Sequence, residues 1–254
     1  LFTRSQTLSD PFIPAFLQAG GTLYALPTLT ITPIHPRSVL DKWLSRCPTE
    51  AVCIFVSRHA IACIGPSLKQ APQWPNICSV CLGPGSRQAL LEQGIPNRAI
   101  ISPVSRPYET EALLAHPFFL EKSAQNQQYW IFRGPPGRTL LQNTLKAQGA
   151  KIQEIALYNR DLATLNPLLR DEWETALTNH NVTLVSSAEG LENLMTRVKQ
   201  LAKKSLKVRL LKQRLLLPSA RVAQLAKFHG FRYITEIGSL ETQSLLNALK
   251  TVSS

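Results

Sequence analysis

The chain has 254 residues, 44% hydrophobic and 17% charged, and its 28 Lys and Arg against 16 Asp and Glu give a net charge of +12. That length admits one large domain or two of about 120 residues each. No apolar run approaches the roughly 18 residues of a membrane span, and no charged segment leads into an apolar one at the start, so a cytoplasmic protein with no membrane partner is the expectation.

Strand-like runs alternate with helical patterns throughout, which predicts an α/β protein with mostly parallel sheets. In chain order the pattern predicts a strand over 1–3, a helix over 10–18, an extended run over 22–33, a helix over 37–46 and strands over 52–57 and 77–83. A helix over 86–93, strands over 99–102 and 129–133, a helix over 138–148 and a second extended run over 151–160 follow. The last third reads as helix 168–180, strand 182–186, helix 188–202, strand 214–218, helix 220–229, strand 232–235 and helix 241–249. The two extended runs, TLYALPTLTITPI and KIQEIALYNRDL, exceed the ordinary strand of about five or six residues. Such runs can leave one sheet and bridge to another domain; two crossings would make a hinge, with a ligand held in the cleft between the domains.

The second half repeats the first. Gly20 falls over Gly149, Ser57 over Ser187, Gly94 over Gly230, and ETEALL at 109–114 over ETQSLL at 241–246, in order and at nearly one spacing. Four ordered matches, with the drift that loop insertions give, argue for two similar α/β domains.

Residue types that often carry chemistry are sparse. Cys47, Cys53, Cys63, Cys78 and Cys81 crowd the first third, an odd number placed badly for a disulfide framework. Cys78 and Cys81 have CxxC spacing inside an apolar strand pattern, where residues three apart point to opposite faces, so reduced core thiols are expected. His35, His59, His116, His180 and His229 share no ligand spacing, and no metal is expected. The basic excess calls for an acidic partner: nucleic acid, an anionic surface or a polyanionic small molecule. Its densest stretch, 199–214, holds seven Lys or Arg scattered among leucines, which reads as a solvated helix face rather than a nucleic-acid groove.

Residues 133–138 read RGPPGR between an apolar run and a helical pattern. A strand entering a helix through a glycine turn can hold an anion on the helix N-terminus. Neither phosphate-loop spacing is present, and Pro135 and Pro136 lack an N–H, so the turn depends on Arg133 and Arg138, whose guanidinium groups suit carboxylates as well as phosphates. A braced turn with two solvated arginines is the plain alternative.

Taken together, Thr3 and Arg4, LPTLTITP at 26–33, IFVSRHA at 54–60, LGPGSRQALLEQG at 82–94, ETEALL, FRGPPGRTLLQNTLKAQGA at 132–150, LYNR at 157–160, VSSAEGLENL at 185–194 and PSARVAQLAKFHGF at 218–231 resemble the uroporphyrinogen-III synthase family nearly end to end. The sequence departs from the family pattern at Ser86, where threonine is common, at Asn159, where arginine is common, and at Pro66, which shortens the helix usual after Ser57. The resemblance implies two flavodoxin-like domains with parallel sheets, joined by a two-stranded β-ladder hinge. Residues 1–27 with 163–254 would form a discontinuous domain, 36–153 an inserted one, and 28–35 with 154–162 the linker. It also implies a cofactor-free lyase acting as a monomer on a polycarboxylate tetrapyrrole, with no nucleic acid as partner; a two-lobed small-anion receptor and a basic nucleic-acid binder are the alternatives.

Eight carboxylates on that substrate would give the basic surplus a reason, since charge-assisted hydrogen bonds contribute about 1.5–3 kcal/mol each. The expected donors are helix starts at the carboxyl ends of strands: Gly85, Ser86 and Arg87; Gly137 and Arg138; Ser187 and Ala188; Ser219 and Arg221; with Arg4 and Ser57 beside them. Tyr158 matches the tyrosine of the family's hinge-proximal motif, and is expected either to protonate the departing hydroxyl, directly or through a water, or to be a buried hinge tyrosine.

Overall fold

The computed structural model describes every residue except 5–9, 72, 73, 75, 104–107, 122, 123, 136, 239 and 254. Its strands are, in chain order, β1 (Leu29–Pro33), β2 (Val52–Phe55), β3 (Cys78–Cys81), β4 (Ile100–Ile101), β5 (Gln128–Arg133), β6 (Lys151–Ala156), β7 (Tyr158–Leu162), β8 (Val182–Leu184), β9 (Arg214–Leu217) and β10 (Tyr233–Glu236). The chain divides into two compact units, Leu1–Thr30 with Asp161–Ser254, and Ile31–Arg160.

In the inserted unit five parallel strands lie in the order β4-β3-β2-β5-β6. β2 is buried along its whole length, VCIF, as a central parallel strand covered on both faces must be. Val52, Ile54, Val80 and Ile131 feed one apolar layer, while Phe55 stacks on Phe132 and meets Trp74 edge-on in another. The strand order reverses between β2 and β5. In open α/β sheets the carboxyl ends of strands at such a reversal are where ligands bind.

The discontinuous unit repeats this plan. Its parallel strands β10-β9-β8 are continued by bridges from Phe2 to Leu184 and from Phe2 to Ala25, so the chain start takes the place that β5 and β6 hold in the other unit. Leu215 and Leu217 pack into one core layer and Leu216, Leu184 and Phe2 into the opposite one, which is the period-2 alternation of a sheet covered on both faces. The sequence repeat reaches the backbone: Gly20 and Gly149 have φ of 81° and 83°, and Gly94 and Gly230 have 88° and 95°. Each ends a helix in the left-handed region that an L side chain resists.

Both long extended runs differ from expectation in the same way, being two segments each. Leu157 donates its N–H to the Arg133 carbonyl at the edge of the five-stranded sheet, while its own carbonyl accepts from Ile34. Thr28 likewise donates to Thr3 and accepts from Ala163. One residue thus serves two sheets, and residues 154–156, expected in the linker, complete β6 instead. β1 and β7 pair as a two-stranded sheet; the flanking bonds, 34 to 157 and 163 to 28, run in opposite order, so the pair is antiparallel. The buried Arg197 donates to the Ala163 carbonyl and to Gln200, fixing the chain where it leaves β7.

Other boundaries shift by a residue or two. The helix Pro84–Glu92 begins before Ser86, with Gly83 as N-cap and Pro84 in the first turn, where its missing N–H costs nothing. Pro66 sits inside the helix Arg58–Leu68, whose 11 residues compare with 13 in its repeat counterpart Ala188–Gln200. The basic stretch forms the helix Lys204–Lys212, with Leu206 and Leu210 buried and its cations exposed. None of the five cysteines forms a disulfide, and burial pushes the Cys81 thiol up to about 11. Among the described residues no His, Cys, Asp and Glu group could hold a metal ion, and no helix is long and apolar enough to cross a membrane.

Candidate functional site

At the switch point of the inserted unit, Ser57 follows β2 and starts the helix Arg58–Leu68. Its backbone is extended (φ −155°, ψ 160°), and its Oγ accepts the Ala60 N–H at 3.1 Å, the arrangement that makes serine a strong N-cap. Gly134 follows β5, on the other side of the reversal. Tyr158 opens β7, one residue after the chain switches sheets, and lies across both positions: its Oη is 2.9 Å from Ser57 Oγ, with either oxygen able to donate. A Cβ on Gly134 would stand 2.4 Å from Tyr158 Cζ, so the ring rests directly on the glycine backbone. Tyr158 is 1% exposed, whereas Ser57 is half-buried. His59 meets the ring edge-on at 5.9 Å, and the Arg160 guanidinium lies 5.9 Å from its centroid. This last contact follows from strand geometry, since residues two apart on β7 share a face.

The expected donor residues fall into two sets. One set is held by the protein. Arg87 donates to the Ile100 carbonyl, to Ser102 at 3.0 Å and to Asn97 at 2.7 Å, tying its helix to the end of β4. Arg4 pairs with Asp10 at 2.9 Å. In the RGPPGR turn, Arg133 meets Glu154 at 3.2 Å and Arg138 meets Glu111 at 3.4 Å, while Pro136 lies outside the described residues. The helix behind this turn is Leu140–Ala147, with Thr139 as N-cap, so Gly137 and Arg138 are not its first-turn donors as the sequence reading had them. The turn is braced by protein carboxylates on both sides.

The other set opens onto solvent at strand ends. Gly85 is exposed in the first turn of Pro84–Glu92, where Ser86 and Arg87 already donate their N–H groups to the Gly83 carbonyl. Ser187 caps Ala188–Gln200 through the Gly190 N–H at 3.0 Å, leaving Ala188 in the first turn. Ser219 caps Ala220–Phe228 with no side-chain bond to the helix, and Ser219, Ala220 and Arg221 are exposed. Amides at the very start of a helix, ahead of those that reach the N-cap carbonyl, have no intrahelical acceptor and carry the positive end of its dipole. Each unit therefore presents donors suited to carboxylates. The sequence reading missed Gly134, His59 and Arg160. Only the alternation that puts 158 and 160 on one strand face could have found any of them.

The fold and these positions define a protein of two related α/β units, with solvent-facing helix starts at strand ends and a buried tyrosine at one switch point. The family model described as uroporphyrinogen-III synthase HemD matches residues 10–245. The chain belongs to this family, cyclising lyases of tetrapyrrole biosynthesis. Among relatives, it is 25% identical over 251 residues to the uroporphyrinogen-III synthase of Escherichia coli strain K12, spanning 98% of this chain and 99% of the relative. It is 26% identical over 255 residues to that of Salmonella typhimurium, with 98% and 99% covered. Among solved structures, uroporphyrinogen-III synthetase from Helicobacter pylori aligns with a TM-score of 0.58 at 14% identity, over 91% of this chain and 96% of that one. A mutant uroporphyrinogen III synthase from Thermus thermophilus gives 0.56 at 15%, over 100% and 99%. At these identities the structural likeness concerns the fold.

Proposed function

We propose that this chain converts 1-hydroxymethylbilane to uroporphyrinogen III, expelling the terminal hydroxyl as water, inverting ring D through a spiro intermediate and closing the macrocycle. The observation that carries the reading is the Ser57–Tyr158–Gly134 contact at the switch point of a family member's sheet. It sets a proton-bearing group at a strand edge of the kind that binds ligands. The exposed first turns at Gly85 and Arg221 and the half-buried one at Ala188 supply donors for the substrate's acetate and propionate arms, and Tyr158 supplies the proton for the departing oxygen. The reaction is a net loss of water with carbon–carbon bond formation, so it requires no redox or group carrier. General acid catalysis contributes about 10²–10⁴ in rate, and orienting ring D to attack through its substituted carbon can contribute more, about 7–11 kcal/mol. Shape around the substrate therefore outweighs any one side chain. The test is product analysis: enzyme and hydroxymethylbilane are incubated, and the oxidised porphyrins are separated by isomer. A dominant type III isomer is expected. Type I alone, the product of uninverted closure, would refute the proposal.

A further inference from the structure

The burial of Tyr158 conflicts with the simplest form of that mechanism. At 1% exposure its hydroxyl is closed off by the Gly134 backbone and by Ser57, so a substrate oxygen cannot touch it. Ser57, in contrast, is half-buried and stands at the helix start beyond the carboxyl end of β2. We propose that Ser57 is the group that hands the proton to the substrate, and that Tyr158 is the reserve behind it. This rests on the reaction proposed above.

Hydrogen-bond accounting fixes the direction. A hydroxyl offers one proton and two lone pairs. Ser57 Oγ accepts the Ala60 N–H. The buried Tyr158 O–H must itself find an acceptor, and Ser57 Oγ is the partner the structure gives it, at 2.9 Å. With Tyr158 as donor, both lone pairs of Ser57 are taken, and the serine proton is left for a partner outside this pair. With Ser57 as donor, the tyrosine proton would be buried without a partner, at a cost of about 1–3 kcal/mol. The favoured state is therefore a two-proton chain ending in the serine O–H.

In the relay the C–O bond of the hydroxymethyl group breaks, and its electron pair leaves with the oxygen. That oxygen takes the Ser57 proton and departs as water, Ser57 takes the Tyr158 proton, and the pyrrole nitrogen lone pair closes the azafulvenium cation. Serine is unchanged, and one phenolate balances the new cation. The phenolate ring lies 5.9 Å from the Arg160 guanidinium, and its oxygen lies 2.9 Å from the serine that caps the helix Arg58–Leu68.

The experiment compares Ser57→Asn, Ser57→Thr, Tyr158→Phe and the Ser57→Asn/Tyr158→Phe double variant in single-turnover formation of type III product. Asparagine caps a helix as well as serine does, yet it has no hydroxyl to exchange, so folding is kept while the relay is cut. We expect Ser57→Asn to slow turnover by about 10²-fold or more, Tyr158→Phe to slow it comparably, and the double variant to be no slower than the worse single. Ser57→Thr recovers most of the rate. The wild-type rate should bend downward with deuterium fraction as two protons in flight require, and become linear in Tyr158→Phe. In Ser57→Asn the Cζ resonance of ¹³C-labelled Tyr158 shifts, whatever the activity. Losses that multiply in the double variant, or full activity in Ser57→Asn alongside a slow Tyr158→Phe, overturn the relay while leaving the reaction assignment intact. A wild-type enzyme yielding only type I product removes that assignment instead, and the relay with it.

Discussion

Replacing Gly134 by alanine tests the site without touching any group that handles a proton. The new methyl would lie 2.4 Å from Tyr158 Cζ, 2.5 Å from Cε2 and 2.8 Å from Oη, against the 3.4 Å at which ordinary contact begins. The ring must retreat by about 1 Å, and it has no open side to enter, being 1% exposed. Overpacking of this kind costs about 1–3 kcal/mol. The same displacement stretches the 2.9 Å bond to Ser57 beyond hydrogen-bonding reach, which costs about 1 kcal/mol more. For a chain of this size each kcal/mol lowers the melting temperature by about 2–4 °C, so calorimetry should record a fall of roughly 4–16 °C. Formation of type III product should slow by about 10²-fold. Adding Tyr158→Leu to Gly134→Ala removes the clash and should restore much of the stability but none of the activity. A Gly134→Ala variant with unchanged melting and turnover would show that the ring does not bear on this backbone, and the reasoning about the site would fall with it.

Tyr158→Phe keeps the packing and loses the hydroxyl, so type III formation should slow by about 10²-fold or more while stability changes by about 1 kcal/mol; unchanged single-turnover kinetics would take Tyr158 out of the mechanism. His180 is 7% exposed, bonds the Ala176 carbonyl and lies 2.7 Å from Thr183 Oγ1, and burial, the largest cause, lowers its pKa to about 4. Its folded value is depressed, so the unfolded chain binds the proton first. Stability is complete above about pH 6.5 and is lost as the pH falls from there towards 4, by up to about 3 kcal/mol. Melting curves of wild type and His180→Gln should converge over that window, and a constant gap would contradict the assignment. Gly94 has φ of 88° with open space where a Cβ would stand, so Gly94→Ala should cost about 1–2 kcal/mol from backbone strain alone, with Gly94→Asn costing less. Equal stability of all three in urea would show that this turn relaxes.

Much of the fold is legible in the sequence because it depends on local, repeated chemistry. A helix that ends in the left-handed region needs a glycine there, and so Gly20, Gly94, Gly149 and Gly230 survive in matched places with φ values within 14° of one another. Ser57 and Ser187 survive as extended N-caps for the same reason. Charge composition does not reveal partners: Arg4 and Arg87 read as donors for a ligand, Arg133 and Arg138 as donors or as braces of their turn, and each also meets protein acceptors brought near by folding. The burial of Tyr158 agrees with the hinge tyrosine expected as one alternative, but what buries it is not legible, for its partner lies 101 residues earlier. Divergence between the repeats then locates the chemistry. Counting back along the spacing that pairs Gly149 with Gly20, Tyr158 falls on Leu29, which has no proton to give. In the other unit the Thr28 hydroxyl bonds the Gly190 carbonyl at 3.4 Å, in the first turn that Ser187 caps. Both units carry a capping serine at a helix start, but among the described residues only the inserted unit places a tyrosine behind its serine. On the proposed reaction, binding would be a property the repeats share, and proton transfer would belong to one of them. Removing the Ser187 hydroxyl should consequently weaken substrate binding with little change in single-turnover rate at saturation, the opposite of the result expected at Ser57.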